Sequence, residues 1–332
     1  MNKVERLQNA IKGEEVDTIP YGFWTHFPGI DLDPDRLAEN SYNFYKKYDI
    51  DFIKMMSNGM YATEGYGCSC DFSEINKGGV AKIVGTPVKT YEDWASIEPI
   101  SIEKGALKRE LISLEKLLSL VKGEAPILFT IFSPLTTAQK LSNGKILSHI
   151  RQGETTLIHH ALDAIAKTTA LLAQRAIEMG ASGVFLATQL CRSDVMNEKE
   201  YVEFGKPYDE KVLKAAEKGW CNTLHIHGEN IMFDLVKDYP VDILNWHVWE
   251  TDPDIKTARE KSNKCFMGGI NRFSITEQNK EAIHTQIETA LAHSKRKKHI
   301  LSPGCVIRYP LCEEIFKYVA EVRDAVNSSY VM

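Results

Sequence analysis

Short apolar runs alternate with amphipathic stretches along most of this chain. Val4, Leu7 and Ile11 fall on one face of a helix predicted over 3–12. A short strand follows at 19–24, and Asp33-Pro34 opens a helix that runs to about Tyr48, with Pro in its first turn. Further strands are predicted at 51–56, 126–132, 183–188, 222–227, 241–247, 265–270 and 299–301. Helices are predicted between and after them, near 105–122, 155–179, 198–218, 229–237, 253–261, 277–294 and 312–327. The stretch 57–105 is irregular and rich in Gly, Tyr and Cys, as lids and binding loops are.

Near-continuous apolar strands between amphipathic helices require a parallel sheet covered on both faces. Eight such units in 332 residues fit an α/β fold, a (β/α)8 TIM barrel with extra N-terminal helical elements, as a single domain over 1–332. A doubly wound open sheet is the runner-up, but no G-x-G-x-x-G or Walker sequence supports it.

Composition narrows the class. With 43% apolar and 26% charged residues, the chain has the makeup of a globular enzyme. The net charge of −5 is spread without a basic block, which argues against nucleic acid or a membrane surface as partner. No secretory h-region and no membrane-length apolar run are present. Seven scattered cysteines do not form a disulfide framework and fit a reducing cytoplasm.

Polar and metal-capable groups gather where strands should end: Trp24-Thr25-His26, Ser57-Asn58, Ser133-Pro134, Thr188-Gln189, His225-Ile226-His227-Gly228, Asn245-Trp246-His247, Asn271-Arg272 and Ser302-Pro303-Gly304-Cys305. In a (β/α)8 barrel those ends form the active-site mouth.

The opening Arg6-Leu7, Gly13-Glu14 and Asp17-Thr18-Ile19-Pro20, the turn at 225–228, Gly268-Gly269-Ile270-Asn271 and Leu301-Ser302-Pro303-Gly304-Cys305 resemble the uroporphyrinogen decarboxylase superfamily, in order over nearly the whole chain. The decarboxylase itself carries an arginine-rich loop after the first strand. Here that stretch is Phe23-Trp24-Thr25-His26-Phe27-Pro28-Gly29, which offers a polycarboxylate no partner. The superfamily's zinc-dependent corrinoid methyltransferase branch is the better match. Its His-x-Cys turn and its Cys after the last strand imply His225, His227 and Cys305 as metal ligands, with His standing at 227 where that branch has Cys. The residues agree with this. His225 and His227 are two apart on a strand and share a face, while Leu224 and Ile226 point towards the helices. Zinc accepts imidazole nitrogen and thiolate, and a catalytic site keeps three protein ligands and an open position.

Other candidates surround that set. His26 and His247 are candidate catalytic residues, as acid, substrate contact or fourth ligand. Trp24, Phe27, Asn58, Trp246, Asn271 and Arg272 are candidate substrate contacts. Glu64 is a weaker candidate for a carboxylate ligand. Cys68 and Cys70 are read as free loop thiols, and Arg308 as an anion contact or a surface ion pair. Lys54, in a strand expected to be buried, requires a partner such as a carboxylate.

These readings lead to a zinc-dependent methyltransferase moving a methyl group between a small molecule, such as an aromatic or other methyl ether, and a separate corrinoid (cobalamin) protein. The chain lacks the Asp-x-His-x-x-Gly signature of corrinoid-binding modules, so that cofactor would arrive on its partner. The rival is a metal-independent decarboxylase or lyase of a small carboxylic acid. A homodimer is left open.

Overall fold

The computed structural model describes residues 1–75, 81–308 and 311–328. Helix α1 (Lys3–Lys12) starts in a capping box, with Asn2 and Glu5 satisfying each other's backbone N–H, and stops at Gly13 in the left-handed region. Helix α2 (Pro34–Tyr48) is capped by the Asp33 carboxylate.

The strands are β1 (Ile53–Lys54), β2 (Ser69–Asp71), β3 (Lys82–Gly85), β4 (Ile127–Phe132), β5 (Gly183–Thr188), β6 (Thr223–Ile226), β7 (Ile243–Trp246), β8 (Cys265–Ile270) and β9 (His299–Pro303). β2 and β3 form an antiparallel pair inside the irregular 57–105 stretch. The other seven form one parallel sheet in the order β1-β4-β5-β6-β7-β8-β9.

The predicted strand at 19–24 is not regular, because Pro20 has no N–H to give to a ladder. It still closes the barrel. On one side the Leu301 N–H donates to Pro20 O and the Gly22 N–H to Leu301 O; on the other the Asp51 N–H donates to Tyr21 O. Asp51 is fixed in turn: its carboxylate accepts from the Tyr21 N–H at 2.8 Å and from Arg6 at 2.5 Å. Arg6 also grips Asp17, so α1 is tied to this stave and the sheet becomes a (β/α)8 barrel.

The predicted helix over 198–218 is two helices, Glu198–Phe204 and Lys206–Ala215, meeting at Gly205. Pro207, without an N–H, can sit in the first turn of the second helix but not inside one continuous helix. Helices Pro134–Leu141 and Ile146–Arg151 fill a region the periodicity did not resolve.

Side-chain parity divides the core in two. Trp24, Phe52, Met56, Leu128, Phe185, Ile243 and Met267 pack inside the barrel. Leu224, Ile226, Leu244, Trp246 and Phe266 face the helices in the larger outer layer. Among the described residues no helix is long and apolar enough to cross a membrane.

Candidate metal centre

Parallel pairing sets the floor of the site. β6 and β7 pair with His225 opposite Asn245, so both point inward, and two residues on His227 and His247 follow them. The His227 N–H donates to Thr188 O, which holds the turn after β6 against β5. Cys305 comes from the other side, after β9. It approaches because Gly304 has no side chain: a Cβ there would lie 2.6 Å from Trp246 O and 2.7 Å from His247 Cα.

The potential ligand atoms of His225, His227, His247 and Cys305 all lie within 4.8 Å of one another. The His225 Nε2 to His227 Nδ1 distance is 3.3 Å. Cys305 Sγ is 3.8 Å from the first and 3.6 Å from the second. A tetrahedral zinc with bonds of about 2.05 Å to nitrogen and about 2.3 Å to sulfur would separate its ligands by about 3.3 Å (N to N) and about 3.6 Å (N to S). The three side chains therefore already have the spacing that zinc requires.

Their charge states suit the same ion. Burial pushes His225 down to about 4, so its ring is neutral. Burial also pushes the Cys305 thiol up, but its contacts with His225, His227 and His247 outweigh it and hold the thiol well below its ordinary range. A neutral imidazole and a thiolate are the forms that bind metal.

Two supporting residues were not singled out in the sequence. Asn245 Oδ1 lies 2.5 Å from His225 Nδ1, and its Nδ2 donates to Met267 O at 2.7 Å. Donation by Nδ2 identifies the oxygen as the atom facing His225. That puts the imidazole proton on Nδ1 and frees Nε2 for a metal. Glu250 accepts from His247 Nδ1 at 3.1 Å and from Arg272 Nη2 at 2.9 Å. Among the described residues His247 Nε2 is left buried without a hydrogen-bond partner. Burial works against the His247 cation, but Cys305 and Glu250 outweigh it and lift the group to about 9. Parity placed Asn245 inward once His225 was; Glu250 lies in a loop and gave no periodic signal.

The other expected site residues divide. His26 and Asn58 line a cavity of about 210 Å³ together with Asp31, Met60, Phe72 and Ile75. Burial, helped by Lys54 and Lys140, pushes His26 down to about 4, although Cys305 works in the opposite direction. Trp24 lies inside the barrel, its ring 5.7 Å from that of Phe185, which stacks on His225 at 5.4 Å.

Trp246 does not face the mouth. Parity turns it outward against Phe233 and Phe266, with its Nε1 on Pro253 O. Phe27 packs on Phe44 of α2 instead of lining the site. Asn271 caps the short helix Arg272–Thr276, and Arg272 is spent on Glu250. Glu64 is held by Arg109 at 2.8 Å and is no ligand in this arrangement. Among the described residues Lys54 has no carboxylate partner: its Nζ contacts Met56 Sδ at 2.9 Å and lies 4.5 Å from the Phe185 ring centre. Cys68 and Cys70 are free, and Arg308 is exposed.

The sequence profile of the Uroporphyrinogen decarboxylase (URO-D) family matches residues 2–326. The chain belongs to the uroporphyrinogen decarboxylase family. Within it, the chain is 20% identical over 323 residues to the methylcobamide:CoM methyltransferase MtbA of Methanosarcina acetivorans, covering 91% of this chain and 92% of the relative. It is 25% identical to the uroporphyrinogen decarboxylase of Synechocystis, over 70% of this chain and 66% of that one. A solved methyltransferase from Methanosarcina mazei shares the fold of this family member, with a TM-score of 0.86, 19% identity, and 98% of this chain and 99% of that one covered.

Proposed function

We propose that this family member is a zinc-dependent methyltransferase, holding zinc by His225, His227 and Cys305 and moving a methyl group between a small molecule and a separate corrinoid protein. The observation that carries the reading is the set of distances among those three ligand atoms, which match a tetrahedral zinc. The methylcobamide methyltransferases among its relatives support the same chemistry, and with it a corrinoid-bearing partner. When bound, zinc would act as a Lewis acid on the heteroatom that gives up or receives the methyl group.

The remaining work falls to the chain. Asn245 fixes the His225 ring so that Nε2 faces the centre. His247 presents Nε2 beside it, held by the Glu250–Arg272 pair, and is placed to carry a proton for that heteroatom. Neutral His26 and Asn58 stand in the neighbouring cavity, where the body of the small molecule would lie. An oxygen methyl ether is the favoured donor, because two imidazoles and one thiolate make a harder site than one richer in thiolate. The free, scattered cysteines support a reducing, cytoplasmic setting.

Elemental analysis of the purified protein tests the reading. Near-stoichiometric zinc is expected in the wild type and is expected to be lost in both His225→Ala and Cys305→Ala. A folded, metal-free wild type that cannot take up added zinc would overturn it.

A further inference from the structure

Two lysines near the barrel mouth have no acidic partner. Lys54 is buried, which pushes it down to about 7 against the opposing pull of Cys305, and its Nζ is flanked by the rings of Phe185 at 4.5 Å and Trp24 at 5.8 Å. One of its three N–H groups meets Met56 Sδ, a weak acceptor. Lys140 donates to Gly59 O at 2.6 Å and lies 4.2 Å from the Phe132 ring centre. Among the described residues neither ammonium forms an ion pair. Ring faces offset part of the cost of burying a cation, but they do not supply a counter-charge.

Both lysines lie near a cavity whose wall includes His26 and Asn58, although neither lines it: Lys140 binds the backbone of that wall, and both act on His26 by their charge. His26, in the cavity wall, feels the charge of each. Gly59, which holds Lys140, is also in the wall, and so is Asn58. Asn58 is 3% exposed; its Oδ1 is spent on the Met60 N–H, while its Nδ2 has no partner among the described residues. The wall thus holds one amide with unspent donors, and two lysines lie within electrostatic reach of it. Its carboxyl group, Asp31, is pushed up to about 6 by burial, partly offset by Arg109, and pairs with neither lysine.

We propose that Lys54, Lys140 and Asn58 form an anion-recognising subsite, and that the small molecule handled here carries a carboxylate or similar oxyanion besides its methyl-bearing heteroatom. The proposal rests on the reading of this mouth as the substrate site, but its test needs neither corrinoid nor turnover.

The test is calorimetric titration of the zinc-loaded protein with three matched probes: 4-methoxybenzoate, 4-methoxybenzamide and 4-methoxybenzylamine. A parallel series uses 3-(methylthio)propanoate, its amide and its amine. The carboxylate is expected to bind at least about tenfold more tightly than its neutral and cationic counterparts in at least one series. Lys54→Met is expected to abolish that preference while keeping its zinc and melting no lower than wild type, because it removes an unpaired buried cation. Lys140→Met is expected to weaken the preference. A lower melting temperature in Lys54→Met with the preference intact would make the lysine a structural element and overturn the proposal. Equal binding across both series, tighter binding of the amines (which would point to Asp31), or no saturable binding of either carboxylate would also overturn it. Zinc content measured on the same samples separates failure of this subsite from failure of the metal reading.

Discussion

His225 Nδ1 and Asn245 Oδ1, on neighbouring strands in register, lie 2.5 Å apart, and the Asn245 amide nitrogen is anchored on Met267 O. The imidazole that faces Cys305 is thus fixed in both tautomer and orientation. Asn245→Ala is expected to weaken zinc binding by about 10–100-fold, the usual cost of losing a partner that orients a metal-bound histidine. Competition against a chromogenic chelator measures it. An unchanged affinity would mean that packing on Phe185 is enough to hold the ring.

Gly304 makes a different prediction, because its constraint is steric. A Cβ at 2.6 Å from a backbone oxygen cannot be accommodated by rotating a side chain. Gly304→Ala is expected to cost about 1–3 kcal/mol of stability, in the range for overpacking. It should also displace Cys305 and lower zinc content. Full zinc content in a destabilised variant would show that the loop moves without carrying the thiol with it.

His247 is expected to separate metal binding from turnover. Its free Nε2 and its tie to Glu250 suit proton handling. His247→Ala should therefore keep most of its zinc and lose about 10²–10⁴-fold in the rate of methyl transfer to reduced corrinoid protein. Loss of zinc comparable to that in Cys305→Ala would instead make His247 a fourth ligand.

His299, at the opposite end of β9, gives a pH dependence unrelated to the metal site. It is 1% exposed, both ring nitrogens are buried, and burial pushes it down to about 3. The unfolded chain takes up this proton below about 6.5 and the folded chain does not. Stability from the neutral ring is thus fully present above about 6.5 and is lost as the pH falls towards 3. Between pH 7 and pH 5 the loss should be on the order of 2 kcal/mol. His299→Leu is expected to flatten the urea-unfolding free energy against pH by that amount relative to wild type. Parallel curves would refute the assignment.

Strand period and strand-end chemistry made much of the site legible. The two-residue repeat put His225 and His227 on one face, and the resemblance to the methyltransferase branch implied Cys305 as their companion. The misreadings have equally local causes. Trp246 adjoins His247 in sequence, yet adjacent strand residues face opposite ways, so it points outward and not into the mouth. Phe27 lies past the bridge at Thr25, where strand parity no longer applies. Lys54 was expected to find a carboxylate and found ring faces, since aromatic partners across a barrel interior leave no spacing in the sequence. Glu250 was missed because loop geometry, not periodicity, brings it under His247.

The thiol of the centre comes 58 residues after His247, the nearest preceding member of the cluster, since 305 − 247 = 58. A chain that extends only as far as β8 holds the three imidazoles but not Cys305, and its first stave still lacks the Leu301 partner that seals it. The same final stretch of polypeptide thus completes both the wall and the centre. Any truncation that removes that stretch is thus expected to open the barrel and to leave the three imidazoles without their thiol.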